Sequence, residues 1–141
     1  MLGKMIRNEL KKKSGMGKYV HFYDKDTGQE YRGLCVDEVV KLSEDYAHRL
    51  QRIIWCQERK RGRWVDLPAK DFELGIRACY WVISKKRDKI VFGQFAMNSY
   101  PEIIGYLFKK ANKKGFFKNK PVKQIKKEYD TFIKRGKIKK L

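Results

Sequence analysis

IRACYWVIS at residues 76–84 and IVFGQFAM at residues 90–97, joined across KKRD at 85–88, are the stretches richest in β-branched and aromatic side chains. Runs of eight or nine such residues on either side of a short polar connection read as a β-hairpin. Their alternation is imperfect, as expected of strands partly covered on both faces. A hairpin here, with helical patterns on either side, makes α+β the expected class: an antiparallel sheet with helices against one face.

Toward the N-terminus, Trp64 to Leu67 reads as a short strand stopped by Pro68. Before it, Asp37 is a credible N-cap, and Val39, Val40, Tyr46, Ala47, Leu50, Ile53 and Ile54 recur at three- and four-residue spacing. That spacing predicts a long amphipathic helix ending near Gly62. Lys18 to Tyr23 and Gln29 to Leu34 read as two more strands about the turn Asp24-Lys25-Asp26-Thr27-Gly28, with Gly28 expected at positive φ. Met5, Ile6 and Leu10 have helical spacing and lead into Lys11, Lys12 and Lys13. Ser14 to Gly17 then breaks the pattern, leaving a short helix or an arm on a flexible joint.

Toward the C-terminus, Ser99 and Glu102 form a capping box around Pro101. Ile103, Ile104, Leu107, Phe108 and Ala111 give the helix that follows a core face, and Gly115 is the expected stop. After Pro121 a last helix gathers Val122, Ile125, Tyr129, Phe132 and Ile133 on one stripe, and Gly136 releases a basic tail. The expected order is β-β-α-β-β-β-α-α: about five antiparallel strands packed by two or three helices, with basic terminal arms. The expected division is a basic arm over 1–17, an α+β core over 18–117, and a basic helix and tail over 118–141.

A chain of 141 residues that is 42% apolar is too hydrophobic for a disordered polyelectrolyte and long enough to bury a core without metals or disulfides. No apolar run approaches the roughly 18 residues of a membrane span. Lys4 and Arg7 have no apolar segment behind them, so no signal peptide is expected. Cys35, Cys56 and Cys79 are odd in number and widely spaced, which fits reduced thiols in the cytoplasm, or in a nucleoid or nucleus, better than a disulfide framework.

The net charge of +19 is unevenly placed. Residues 1–18 carry six Lys/Arg against one Glu, and residues 109–141 carry fourteen against two acids. The ninety residues between carry fifteen basic and thirteen acidic side chains, so all but two of the net charges lie in the ends. Such ends repel themselves, and a polyanion reverses the sign of that energy by releasing its condensed counterions.

The residues expected to touch nucleic acid follow from this distribution. Lys109, Lys110, Lys113, Lys114, Lys118, Lys120, Lys123, Lys126, Lys127, Lys134 and Arg135, with Lys11, Lys12 and Lys13, would neutralise phosphates. Lysine is a point charge rather than a planar reader, so these residues position rather than specify. Arg59, Lys60, Arg61 and Arg63, beside Trp55 and Trp64, are the candidates for base- or structure-selective contacts, because guanidinium groups fork onto guanine edges and indoles stack on exposed bases. The expected partner is RNA or DNA, with a further protein inside a nucleoprotein complex. The alternative is a factor that docks on an acidic or nucleic-acid-binding protein.

Tyr19-Val20-His21 followed by Tyr31-Arg32-Gly33 resembles the GIY-YIG nuclease module over about fifteen residues. The resemblance implies a metal-dependent nuclease with a tyrosine in the hairpin, an arginine on the next helix and a metal-binding glutamate. Arg49 and Glu102 are the residues that could fill the last two roles. Arg32 departs from the module's pattern, as does the lack of its first glycine. No zinc, EF-hand, Walker or nucleophile-elbow pattern is present, so no cofactor is expected and nothing else in the sequence argues for an enzyme.

Overall fold

The computed structural model describes residues 8–43, 45–87, 89–94 and 101–136. In chain order it comprises helix α1 (residues 8–12), strands β1 (Tyr19–Tyr23), β2 (Glu30–Ser43), β3 (Tyr46–Lys60) and β4 (Arg63–Asp66), and a 3-10 turn (Ala69–Asp71). Strands β5 (Glu73–Ser84) and β6 (Lys89–Gln94) and helices α2 (Pro101–Lys113) and α3 (Val122–Lys134) follow. The strands form one sheet in the order β1-β2-β3-β5-β6, with β4 paired to β3. The β1–β2, β3–β4 and β5–β6 pairs are antiparallel. The class is therefore α+β, as the sequence predicts.

The long helix expected over 37–62 is absent, and the segment forms the end of β2 and all of β3. Two features produce the misreading. All eight residues from Ala47 to Ile54 are buried, so β3 shows none of the period-two alternation that betrays a half-exposed strand. The polar residues that would form the helix's wet face, Arg49, Gln51 and Arg52, point inward to partners on other elements. With that pattern silenced, the β-branched pairs Val39-Val40 and Ile53-Ile54 imitate helical spacing.

By contact the chain divides into two compact units that share the long strands. One comprises Gly15–Asp37, Arg52–Ile76 and Lys118–Leu141; the other Met1–Ser14, Glu38–Gln51 and Arg77–Phe117.

In the first unit, the β1–β2 hairpin pairs Tyr19 with Leu34 and Tyr23 with Glu30, and Gly28 closes its turn at φ 73°. The core of this unit sets Leu34, Val36, Ile54, Cys56 and Phe72 against Ile125, Tyr129 and Phe132 of α3. The predicted stripe on α3 is thus its buried face. Its other members, Val122 and Ile133, are exposed.

In the second unit, Ile103, Leu107 and Ala111 of α2 pack with Phe116 on Val39 and Leu50. Gly115 stops the helix at φ 77°, as expected. The Ser99 cap, Met5 and Ile6, the end of the strand expected to reach Met97 and the tail from residue 137 lie outside the described residues. Leu10 of α1 is buried with Ala47, Cys79 and Trp81, so α1 is docked on its unit.

A polar network lies inside the same unit. Glu38 accepts from Arg49 at 2.5 Å, from Ser14 at 2.9 Å and from Gln51 at 3.1 Å. Gln51 in turn accepts from Arg77, and Arg49 lies 4.7 Å from the Trp81 ring centre. Arg49 is 1% exposed, and a charge so desolvated is tolerable only because a carboxylate, a backbone carbonyl (Lys13) and an aromatic face surround it.

Candidate nucleic-acid interface

Helix α3 begins after Pro121, whose φ of −57° suits the last residue before a helix. With Ile125, Tyr129 and Phe132 committed to the core, the opposite side faces solvent. At about 100° per residue, Lys123, Lys127 and Lys134 fall within about 40° of one another, rising about 6 Å and then 10 Å along the axis. All three are exposed, and none has an acidic partner among the described residues. Lys126 differs: it pairs with Asp130 at 2.7 Å and lies 5.3 Å from the Phe72 and Tyr129 rings, on the flank of the helix rather than in the row.

Along one side of α3 runs a groove of about 630 Å³ lined by Lys120, Lys127 and Arg135, with Gln124 and Thr131 between them. Its acids are Asp37 and Glu128. Glu128 is gripped by Arg52 at 3.1 and 3.2 Å and by Lys120 at 3.3 Å. Burial pushes its carboxyl pKa up, but the hydrogen bonds and charges of Arg52 and Lys120 outweigh that and hold it below the ordinary glutamate value. Lys118, before the helix, is exposed.

The arginine cluster of the same unit sits on a β-hairpin, not at a helix end. Arg61 (φ 50°) and Gly62 (φ 76°) are the two left-handed residues that a tight two-residue turn between twisted strands requires. Lys60 then faces Arg63, and Arg59 faces Trp64. Arg59, Lys60, Arg61 and Arg63 are exposed around this tip. Arg59 pairs with Glu30 and Lys60 with Glu58, both at 3.0 Å. These are exposed or half-exposed pairs, which stabilise little and can exchange for a phosphate.

Trp64 is half-buried, and its ring is part of an aromatic–cation stack. Arg32 lies 4.0 Å from the Tyr19 ring centre and 4.8 Å from that of Trp64 while donating to Gln57 at 2.5 Å. The His21 ring stands 5.5 Å from that of Trp64, tilted by 57°, and Arg59 is 5.6 Å away. Tyr19, His21 and Arg32 enter the sequence reading only through the nuclease resemblance and are not among its expected nucleic-acid contacts. Period-two alternation in 19–23 and 30–34 puts them on one strand face, but only the β3–β4 register brings Trp64 to them. Burial raises the Tyr19 pKa, against the opposing charge of Arg32.

The other unit carries its own cations. Lys109, Lys110 and Lys113 are exposed on α2, with Lys110 5.7 Å from the Tyr106 ring, and Lys114 donates to the Glu38 carbonyl at 3.3 Å. Lys11, Lys12 and Lys13 are exposed at and just after the end of α1.

The arrangement implied by the GIY-YIG resemblance does not form here. The element after the first hairpin is strand, Arg49 is buried against Glu38, and Tyr31 turns toward Phe22 and Trp55. Among the described residues no group of three His, Cys, Asp or Glu is placed to hold a metal ion, and no helix is long and apolar enough to cross a membrane. No protein-family model, curated protein or solved structure matches the chain.

Proposed function

We propose that this chain is a nucleic-acid-binding accessory protein that grips the phosphate backbone of RNA or DNA with lysines. The row of Lys123, Lys127 and Lys134, unpaired and opposite the buried stripe of α3, carries this reading. Like charges in line at short intervals repel one another, and an anion of matching extent lying against them turns that repulsion into attraction. The tip at Arg59, Lys60, Arg61 and Arg63 adds a two-stranded ribbon with forked donors, a shape that a major groove or an unpaired loop admits.

The test is a titration of a labelled duplex and a labelled hairpin RNA across salt concentrations. The expected result is a linear fall of log affinity with log salt, with a slope of several units. A flat dependence for both removes the proposal.

A further inference from the structure

We infer that the unit containing α3 also has a site for an organic cation, an alkylammonium or guanidinium group. It is a pocket of about 540 Å³ walled by Phe22, Tyr31 and Trp55 and rimmed by Glu58, Asp71 and Glu73. This site is independent of the lysine row.

The floor is built. A Cβ on Gly33 would sit 2.9 Å from Trp55 Cε3, and one on Gly75 would sit 2.7 Å from Trp55 Nε1. Gly33 belongs to β2 and Gly75 to β5, the two neighbours of β3, so the indole spreads over both flanking strands only because each lacks a side chain there. Phe22 meets it edge-on at 6.2 Å and is itself 53% exposed. The result is a half-open aromatic recess whose ring faces carry the negative side of their quadrupoles.

The charge around it is of the opposite sign to the rest of the molecule. Lys and Arg outnumber Asp and Glu by 35 to 16, yet Asp71 and Glu73 stand at the rim with no ion pair among the described residues. Glu58 alone is paired, with Lys60. Aromatic faces and uncompensated carboxylates act in the same direction: they attract a cation and repel a phosphate. The acids do not converge as metal ligands do. The recess is also too large for a bare ion, so it fits a broad, weakly hydrated charge.

The test follows the Trp55 indole N–H by NMR, assigned through Trp55→Phe, during titration with choline, with agmatine, with the uncharged dimethylbutanol isostere of choline and with cytidine as a stacking competitor. Either cation should shift it saturably, and Asp71→Asn with Glu73→Gln, both at exposed positions, should weaken that binding by between about two- and thirtyfold. Phe22→Ala should weaken it as well. The inference is overturned if the neutral isostere binds as tightly as choline, if cytidine binds more tightly than either cation, or if neither cation saturates the shift.

Discussion

Arg52 of β3 forks onto Glu128 of α3, Nε to Oε1 at 3.1 Å and Nη2 to Oε2 at 3.2 Å, with the arginine side chain only 4% exposed. The pair ties the helix that bears the lysine row to the sheet through a charge that has left water. Glu128→Ala should therefore cost about 3 kcal/mol in a urea titration, because it removes the carboxylate that balances a desolvated guanidinium charge.

The acid limb of stability should fall in two stages. Glu128 titrates below its ordinary value of 4.5 in the folded chain, so its contribution is complete above that pH and is lost as pH falls toward the folded value. Burial holds the His48 pKa below 6.5, so protons begin to favour the unfolded chain once pH drops under that value. Urea midpoints measured across pH should show the upper stage vanish in His48→Gln and the lower one in Glu128→Gln.

Glu38 and Arg49 should behave as a unit. Arg49→Met leaves a buried carboxylate and should cost about 3–5 kcal/mol. Glu38→Leu combined with Arg49→Met should cost much less than the sum of the single changes, which a double-mutant cycle reads directly.

Gly33→Ala forces a methyl group to within 2.4 Å of Ile53 Cγ2 and 2.9 Å of Trp55. We expect a loss of about 1–3 kcal/mol, the usual cost of overpacking. Gly75→Ala meets only the indole. It should displace Trp55 and alter its fluorescence at smaller cost.

If the lysine row binds phosphates, replacing Lys123, Lys127 and Lys134 by Gln together should lower the salt slope of duplex binding by about 2–3 units. Lys126→Gln should lower the slope by less than any one lysine of the row does, since its ammonium group already pairs with Asp130.

Cys56 and Cys79 are buried, and burial pushes both thiols up to about 11. A thiol reagent at pH 8 should label them only at the rate at which the chain opens, and within seconds in denaturant.

The elements legible in the sequence are those with one wet face. The α3 stripe announced itself because lysines fill its other side, and the first hairpin because Gly28 marks its turn. The arginine–tryptophan stack was not legible. Tyr19 and Arg32 share a legible hairpin, but Trp64 lies far along the chain and reaches them only through a pairing that no local pattern encodes. β3 was misread for the opposite reason to α3: having no wet face along its middle, it carries no period to read.

That same absence shapes how the protein can change over generations. An ordinary strand alternates rungs that drift freely with rungs that do not. From Ala47 to Ile54 every rung is constrained, three of them by charge or amide pairing as well as by size. Among the described residues, substitutions should therefore be tolerated better at the margins of the sheet and along the helix exteriors than within this band.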